Sequence, residues 1–257
     1  MPAGVPRAGK RVKKRVVVFN VAMATLVCAV ALTTGPFVLL FPRTVAITVA
    51  DWWCRANLKL LRLVVGIDLE IRGAEHIPTG AALVAAKHHS ALETFGLMPS
   101  LRDPAFVLKR ELTWLPFFGW FLLRMKMIAI NRKAGSEALV QIIEQARAAA
   151  ADGRQIVIYP EGTRRKVGEP PRYKLGVGHL YEKLRLPCHP VAIDAGVFWP
   201  KGTIMRRQGR AVIEFLEPIQ PGLERQAFLD LLRERIETGT QALVSEALDG
   251  SRPPVKR

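Results

Sequence analysis

Twenty-six consecutive residues without a charge, Val16 to Phe41, constrain this chain more than any other feature. They follow the basic cluster Lys10-Arg11-Val12-Lys13-Lys14-Arg15. A run of that length and polarity must be covered by protein or by lipid. Up to Gly35-Pro36 it counts 19 residues. As a helix that is about 28 Å, close to one hydrocarbon thickness. The positive-inside rule places the basic cluster in the cytoplasm. Ala29-Val30-Ala31 also fits a signal-peptide cleavage site. The apolar run continues ten residues past it, which argues for an uncleaved anchor.

The next segment, 44 to 66, differs in kind. Asp51, Arg55, Lys59 and Arg62 recur at spacings of four, four and three, so they line one helical face. Trp52, Trp53, Leu60, Leu61, Leu63 and Val64 cover much of the rest. Paired tryptophans beside a basic stripe suit a helix in the headgroup layer; the plain alternative is a surface helix packed on the domain. A full span would carry the remainder of the chain across the membrane, whereas Arg55, Lys59 and Arg62 belong on the cytoplasmic side. Gly35-Pro36 and Pro42 are therefore expected to turn the chain back as a membrane-embedded helical hairpin. Four segments are expected: a cytoplasmic basic N-terminus at 1–15, the anchor and interfacial helix at 16–65, one catalytic domain at 66–250, and a frayed basic tail at 251–257.

A balance of 38 Lys+Arg against 22 Asp+Glu gives a net charge of +16, which points to anionic partners. Aromatic residues make up only 7% and do not interleave with basic ones, so a membrane surface is favoured over nucleic acid. Cys28, Cys54 and Cys188 are scattered, without disulfide or metal-ligand spacing, and take no role.

From residue 67 onward strands and helices alternate. Strands are expected at 67–71, 81–86, 155–159, 190–198 and 211–216, with helices after Ser90, over 136–151 and over 224–248. This is an α/β layout with a mixed, partly parallel sheet flanked by helices. Open sheets of this kind place chemistry where strand ends feed loops.

Two motifs fall at such ends. Lys87-His88-His89-Ser90-Ala91-Leu92-Glu93 supplies a histidine with a carboxylate five residues on. A neutral His88 can accept a proton from a hydroxyl, and Glu93 on its other nitrogen would fix the tautomer. Ser90-x-x-Glu93 is equally a capping box, in which Glu93 closes a helix N-terminus. His89 and Glu93, four apart, also have the spacing to face a metal, but a third ligand is lacking: His76, His179 and His189 stand isolated. Pro160-Glu161-Gly162-Thr163-Arg164 supplies a glycine turn, a hydroxyl and a guanidinium fork suited to a phosphate, though a plain surface loop has the same composition. Between them run Lys109-Arg110-Glu111-Leu112, Pro116-Phe117-Phe118-Gly119-Trp120 and Ile130-Asn131-Arg132. The apolar middle suits an acyl channel or core, flanked by Lys109 and Arg132.

In order, these blocks resemble the glycerolipid acyltransferase family, over roughly residues 66 to 218. That family writes Asn-His-x-Ser-x-x-Asp, then Lys-x-Glu-Leu with a later Pro, Gly-Trp and Arg, then Phe-Pro-Glu-Gly-Thr-Arg. A fourth, vaguer block resembles Leu186 to Val191. Lys87, Glu93 and Tyr159 depart from the pattern, standing for Asn, Asp and Phe. The resemblance implies a single acyltransferase domain that moves a fatty acyl group from acyl-CoA or acyl carrier protein to the sn-2 hydroxyl of 1-acyl-glycerol 3-phosphate, giving phosphatidate. It implies His88 as general base, Glu93 as its orienting acid and Lys109 at the oxyanion. Arg132, Glu161, Gly162, Thr163 and Arg164 would hold the acceptor phosphate, without metal or cofactor. The expected setting is the cytoplasmic face of the inner membrane. Alternatives are transfer to another lysolipid, such as a lyso-ornithine lipid, or to glycerol 3-phosphate, and a non-catalytic lipid-binding protein.

Overall fold

A computed structural model describes residues 10–132, 134–203 and 206–252. Two helices lead the chain, α1 (Lys10–Val38) and α2 (Arg43–Leu60), the second continued by a π-helical turn at Leu61–Val65. Seven strands follow: β1 (Ile67–Arg72), β2 (Ala82–Ala86), β3 (Pro104–Lys109), β4 (Ile128–Ile130), β5 (Gln155–Ile158), β6 (Cys188–Ile193) and β7 (Gly209–Phe215). Between and after them lie α3 (Leu92–Ser100), α4 (Phe118–Arg124), α5 (Gly135–Ala151), α6 (Gly176–Leu184), α7 (Ala195–Phe198) and α8 (Arg225–Asp249).

The strands form one sheet in the order β1-β7-β6-β2-β5-β3-β4, parallel at every pairing except β6 with β7. This is the mixed α/β sheet expected from the pattern. Both faces are covered, as a mainly parallel sheet requires. Val84, Ala86, Val157, Val191 and Ile193 point into a core shared with α1 to α4, while Leu83, Ala85, Ile156 and Ile158 meet α5, α6 and α8. Neighbours β2, β5, β3 and β4 run parallel, with Ala85 beside Ile158 and Lys109 beside Ile130. Their carboxyl ends therefore release His88, the Glu161–Arg164 loop, Lys109 and Arg132 along one edge.

Three details correct the sequence reading. The stretch 190–198 is not one strand: β6 stops at Ile193 and α7 begins at Ala195. The segments β3, β4, α4 and α6 were not separable by periodicity. The Gly35-Pro36 pair does not break α1, which runs through Pro36 to Val38. Pro36 removes one bond, to the Leu32 carbonyl, but only two helical residues follow it, and Thr33 and Thr34 donate their hydroxyls back to the Ala29 and Val30 carbonyls. The chain turns at 39–42 instead. Gly35 is there for closeness: a Cβ on it would come within 2.8 Å of Phe117 Cβ, just ahead of α4.

Inward positions of α1 recur at Val16, Phe19, Met23, Val27, Val30 and Val38, a single helical stripe laid on the domain. Arg206 is held between the rings of Phe19 and Trp199, at 5.1 and 3.9 Å. At the other end Arg124 donates to the Phe41 carbonyl, and Arg43 pairs with Asp103. The opposite face of α1, including Val17, Val18, Val21, Leu32 and Phe37, is exposed and apolar. Residues 14–38 form one helix long and apolar enough to cross a membrane. On α2, Arg55, Lys59 and Arg62 point outward as expected. The two tryptophans part company: Trp52 faces out, and Trp53 turns inward against Phe95, with ring centroids 5.2 Å apart.

The beginning of the basic tail is tied down rather than frayed. Arg252 pairs with the fully buried Asp194 and donates to the carbonyls of Arg210 (2.8 Å) and Leu243 (2.7 Å). Residues 253–257 lie outside the described set. Burial raises Asp194 to about 6, against the pull of Arg252. Arg252→Ala strands that carboxylate, and the expected cost is about 3 kcal/mol at pH 8. The loss should shrink at pH 5, where the stranded carboxyl is protonated. Urea melts at the two pH values check this; an equal loss at both would contradict it.

Candidate active site

His88 follows the end of β2, and Glu93 sits in the first turn of α3. One oxygen, Glu93 Oε1, accepts from His88 Nδ1 (2.8 Å), His89 N–H (2.8 Å) and Ser90 N–H (2.6 Å). Ser90 Oγ accepts from Leu92 N–H at 3.3 Å. The orienting and capping arrangements therefore coexist, on the same oxygen rather than on one each. Glu93 is completely buried. Because Oε1 already accepts two backbone N–H groups, the hydrogen of the third contact belongs to Nδ1. That leaves His88 Nε2 as the ring's open acceptor.

Two further contacts hold the histidine. Tyr159 stacks on its ring, with centroids 3.9 Å apart and planes 14° from parallel. The Tyr159 hydroxyl reaches Thr94 Oγ1 at 2.9 Å, and burial raises the phenol far above its ordinary range. Arg165 N–H donates to the His88 carbonyl at 2.7 Å, joining the third block to the first. The stacking was not legible in the sequence, although an aromatic preceding Pro160 was visible.

The loop after β5 turns at Gly162, whose φ of +66° favours glycine. Gly162 N–H donates to the Tyr159 carbonyl at 2.8 Å, and Arg132 donates to the Gly162 carbonyl. Thr163 and Arg164 are exposed. Glu161 faces elsewhere. Its carboxylate is buried and accepts from Lys87 Nζ at 3.2 Å, the same ammonium that meets both oxygens of Glu237 at 2.7 and 2.9 Å. Tyr173 adds a hydroxyl to Glu237 at 3.0 Å. Burial raises the Glu161 pKa, opposed by Lys87. Lys87, the departure from the family's Asn, is thus a buried cation between two carboxylates, and Glu161 is a support for the loop. That carboxylate is no phosphate contact, which corrects its grouping with the anion-binding residues.

His88, Lys109, Arg132, Gly162, Thr163 and Arg164 line one cavity of about 950 Å³, at the upper end of the size of small-molecule sites. Glu93 and Glu161 stand behind its wall. Apart from this polar end, the lining is mainly apolar: Val27, Val30 and Ala31 of α1, Trp53 of α2, and Phe118, Phe121 and Leu122 of α4. The apolar stretch between the first and third blocks is therefore cavity wall. Sequence reasoning missed the helix α1 contribution and Lys174, which also lines the cavity.

A half-buried, anchored histidine, a mainly apolar wall and several cations thus share one cavity. The acyltransferase family model matches residues 68–194. The chain is 42% identical over 149 residues to the 1-acyl-sn-glycerol-3-phosphate acyltransferase of Pseudomonas aeruginosa, covering 58% of each protein. It is 29% identical over 209 residues to the alpha form from Mus musculus, covering 76% of this chain and 73% of that one. The crystal structure of the 1-acyl-sn-glycerophosphate acyltransferase PlsC from Thermotoga maritima shares the fold, with a TM-score of 0.76 at 22% identity, over 90% of this chain and 97% of that one.

His89 supplies a pH test of this local packing. It is buried against Gly196, and burial pulls its pKa down to about 4. In the unfolded chain the value is about 6.5. Between the two, the unfolded state binds more protons, so this contribution is complete above about pH 6.5 and is lost as pH falls towards 4, by about 3 kcal/mol. His89→Asn is expected to flatten the acid limb of stability measured by urea titration from pH 7 to 4.5. An unchanged slope would contradict a neutral buried ring.

Proposed function

We propose that this chain transfers a fatty acyl group from a thioester donor, acyl-CoA or acyl carrier protein, to the sn-2 hydroxyl of 1-acyl-glycerol 3-phosphate, forming phosphatidate. The observation that carries this reading is the bond from His88 Nδ1 to the buried Glu93, in a cavity apolar along most of its wall and cationic at one end. The names of the relatives support the same acceptor.

In this reading His88 Nε2 takes the proton of the acceptor hydroxyl as its oxygen attacks the thioester carbonyl. Glu93 stabilises the imidazolium that forms. The tetrahedral oxyanion is met by Lys109 at the end of β3 or by backbone N–H groups. Collapse breaks the C–S bond, and His88 returns its proton to the departing thiolate. Arg164, Thr163, the Gly162 turn and Arg132 hold the acceptor phosphate, while Glu161 and Lys87 fix the loop. We assign no metal or cofactor, because the base, the cations and the thioester itself supply each step.

The same reading sets the chain on a membrane. The exposed face of α1, the turn residues Leu39 to Phe41, and Trp114, Leu115 and Leu123 offer apolar surface to lipid. With one stripe of α1 packed on the domain, we assign a monotopic anchor on the cytoplasmic face of the inner membrane. Its basic N-terminus and its catalytic domain then lie on one side.

Incubation of detergent-purified protein with lysophosphatidate and a long-chain acyl-CoA or acyl carrier protein is expected to release free thiol and diacyl product in equal amounts. Absence of product with every donor would overturn the proposal. Glu93→Gln keeps an oxygen for the two backbone donors, so the fold should persist while turnover falls by about 100-fold or more. A loss of stability alone, with turnover kept, would leave Glu93 a cap only. In a Cys28→Ser background, cysteines placed at residues 5 and 151 should react with an impermeant reagent from the same side of sealed vesicles. Labelling from opposite sides would mean a full span.

A further inference from the structure

We propose that Lys174 is a further anion-binding side chain of this site, closing over the Gly162 turn to grip the acceptor phosphate and favour phosphorylated acceptors. The identity of the ligand rests on the acyl-transfer reading; the location rests on geometry. After the Glu161–Arg164 loop the chain returns alongside it, and Lys174 N–H donates to the Pro160 carbonyl at 2.9 Å. The side chain then lies on the turn itself. A Cβ built on Gly162 would sit 3.2 Å from Lys174 Cε and 3.4 Å from its Nζ. Lys174 lines the same cavity as Arg132, Thr163 and Arg164.

The neighbouring cations are divided between two duties. Lys87 is consumed by Glu161 and Glu237, Arg165 lies by Glu169 at 3.8 Å, Arg132 is bonded to the Gly162 carbonyl, and Lys201 holds the Arg164 carbonyl at 2.8 Å. Those contacts build the loop, Arg132 spending one N–H on it and keeping the rest of its fork on the cavity side. Among the described residues, the side chains of Lys174 and Arg164 make no ion pair, although both line the cavity. Their charge is available to a ligand. A phosphate monoester carries about −2 near neutral pH, more than one guanidinium neutralises. Arg164 and Lys174 together match it, the first as a planar fork and the second as a point charge. The bare Gly162 leaves space for the lysine stem, so the turn and the lysine form one unit. Nothing in the local pattern Tyr173-Lys174-Leu175-Gly176 distinguishes this lysine from the other basic residues; the fold does.

The test uses the full chain in detergent micelles. Binding of lysophosphatidate and of a monoacylglycerol with the same acyl chain is measured calorimetrically for the wild type, Lys174→Met and Lys174→Arg, with turnover in parallel. Lys174→Met is expected to bind lysophosphatidate about tenfold more weakly, the scale of one charged hydrogen bond. Its KM for that acceptor should rise to match, with kcat within about twofold, since the contact serves ground state and transition state alike. Monoacylglycerol binding should not change, and Lys174→Arg should recover most of the affinity. Unchanged lysophosphatidate affinity, an equal loss on both acceptors, or no wild-type preference for the phosphorylated one would overturn the proposal. Lys174-dependent binding without any diacyl product would sustain the phosphate site and remove the acyl-transfer reading.

Discussion

A single buried oxygen, Glu93 Oε1, is the point on which the site depends. It accepts the His89 and Ser90 N–H groups just ahead of α3 and, beside them, the Nδ1 hydrogen of His88. The local fold cannot form without placing the imidazole, and the imidazole cannot be placed without the local fold. A carboxylate is well suited to the task, because an ionised acceptor binds each N–H more strongly than a neutral one does. The longer Glu, where the related families have Asp, reaches this geometry through the close approach of His89 and Ser90 backbones. Tyr159 then stacks on the ring, and the Arg165 N–H holds the His88 backbone carbonyl.

The sheet does the remaining positioning. Four parallel neighbours, β2, β5, β3 and β4, end at one edge, so residues far apart in sequence converge without a long loop. The leading helices complete the site instead of merely attaching it to a surface. Val27, Val30, Ala31 and Trp53 are cavity wall, and the Arg206 contact with Phe19 together with the Arg124 and Arg43 contacts at the turn keep that wall in place. The face of α1 turned away from the domain carries only uncharged residues from Val16 to Phe37. An exposed apolar face and an apolar cavity wall are thus two sides of one helix.

Much of this was legible in the sequence, for identifiable reasons. Strand β1 alternates apolar and charged residues, β2, β5 and β7 carry apolar runs, and the two polar motifs fall at strand ends where chemistry gathers. The segments β3, β4 and α4 were not legible, since short apolar pieces within one largely hydrophobic stretch do not declare their period, and the short α6 carries too few turns to do so. Pro36 was read as a break because the rule ignores position; with only two helical residues after it, it lies at the end of α1 rather than splitting it. Glu161 was grouped with the phosphate ligands because it stands in the same Pro-Glu-Gly-Thr-Arg block as Gly162, Thr163 and Arg164. Its buried partner Lys87 lies 74 positions earlier, a pairing that only the fold reveals. Arg252, read as part of a frayed tail, is the partner of Asp194, 58 positions away.

The measurement that bears most directly on the central claim is turnover by His88→Ala. Purified wild type and variant, matched for folding by circular dichroism, would be compared for diacyl product from lysophosphatidate and a long-chain thioester. A variant that binds acceptor normally and forms no product above background is the expected result, with His88 as the base. A folded variant that retains wild-type turnover would contradict the account and leave the Glu93 contact with no part in the chemistry.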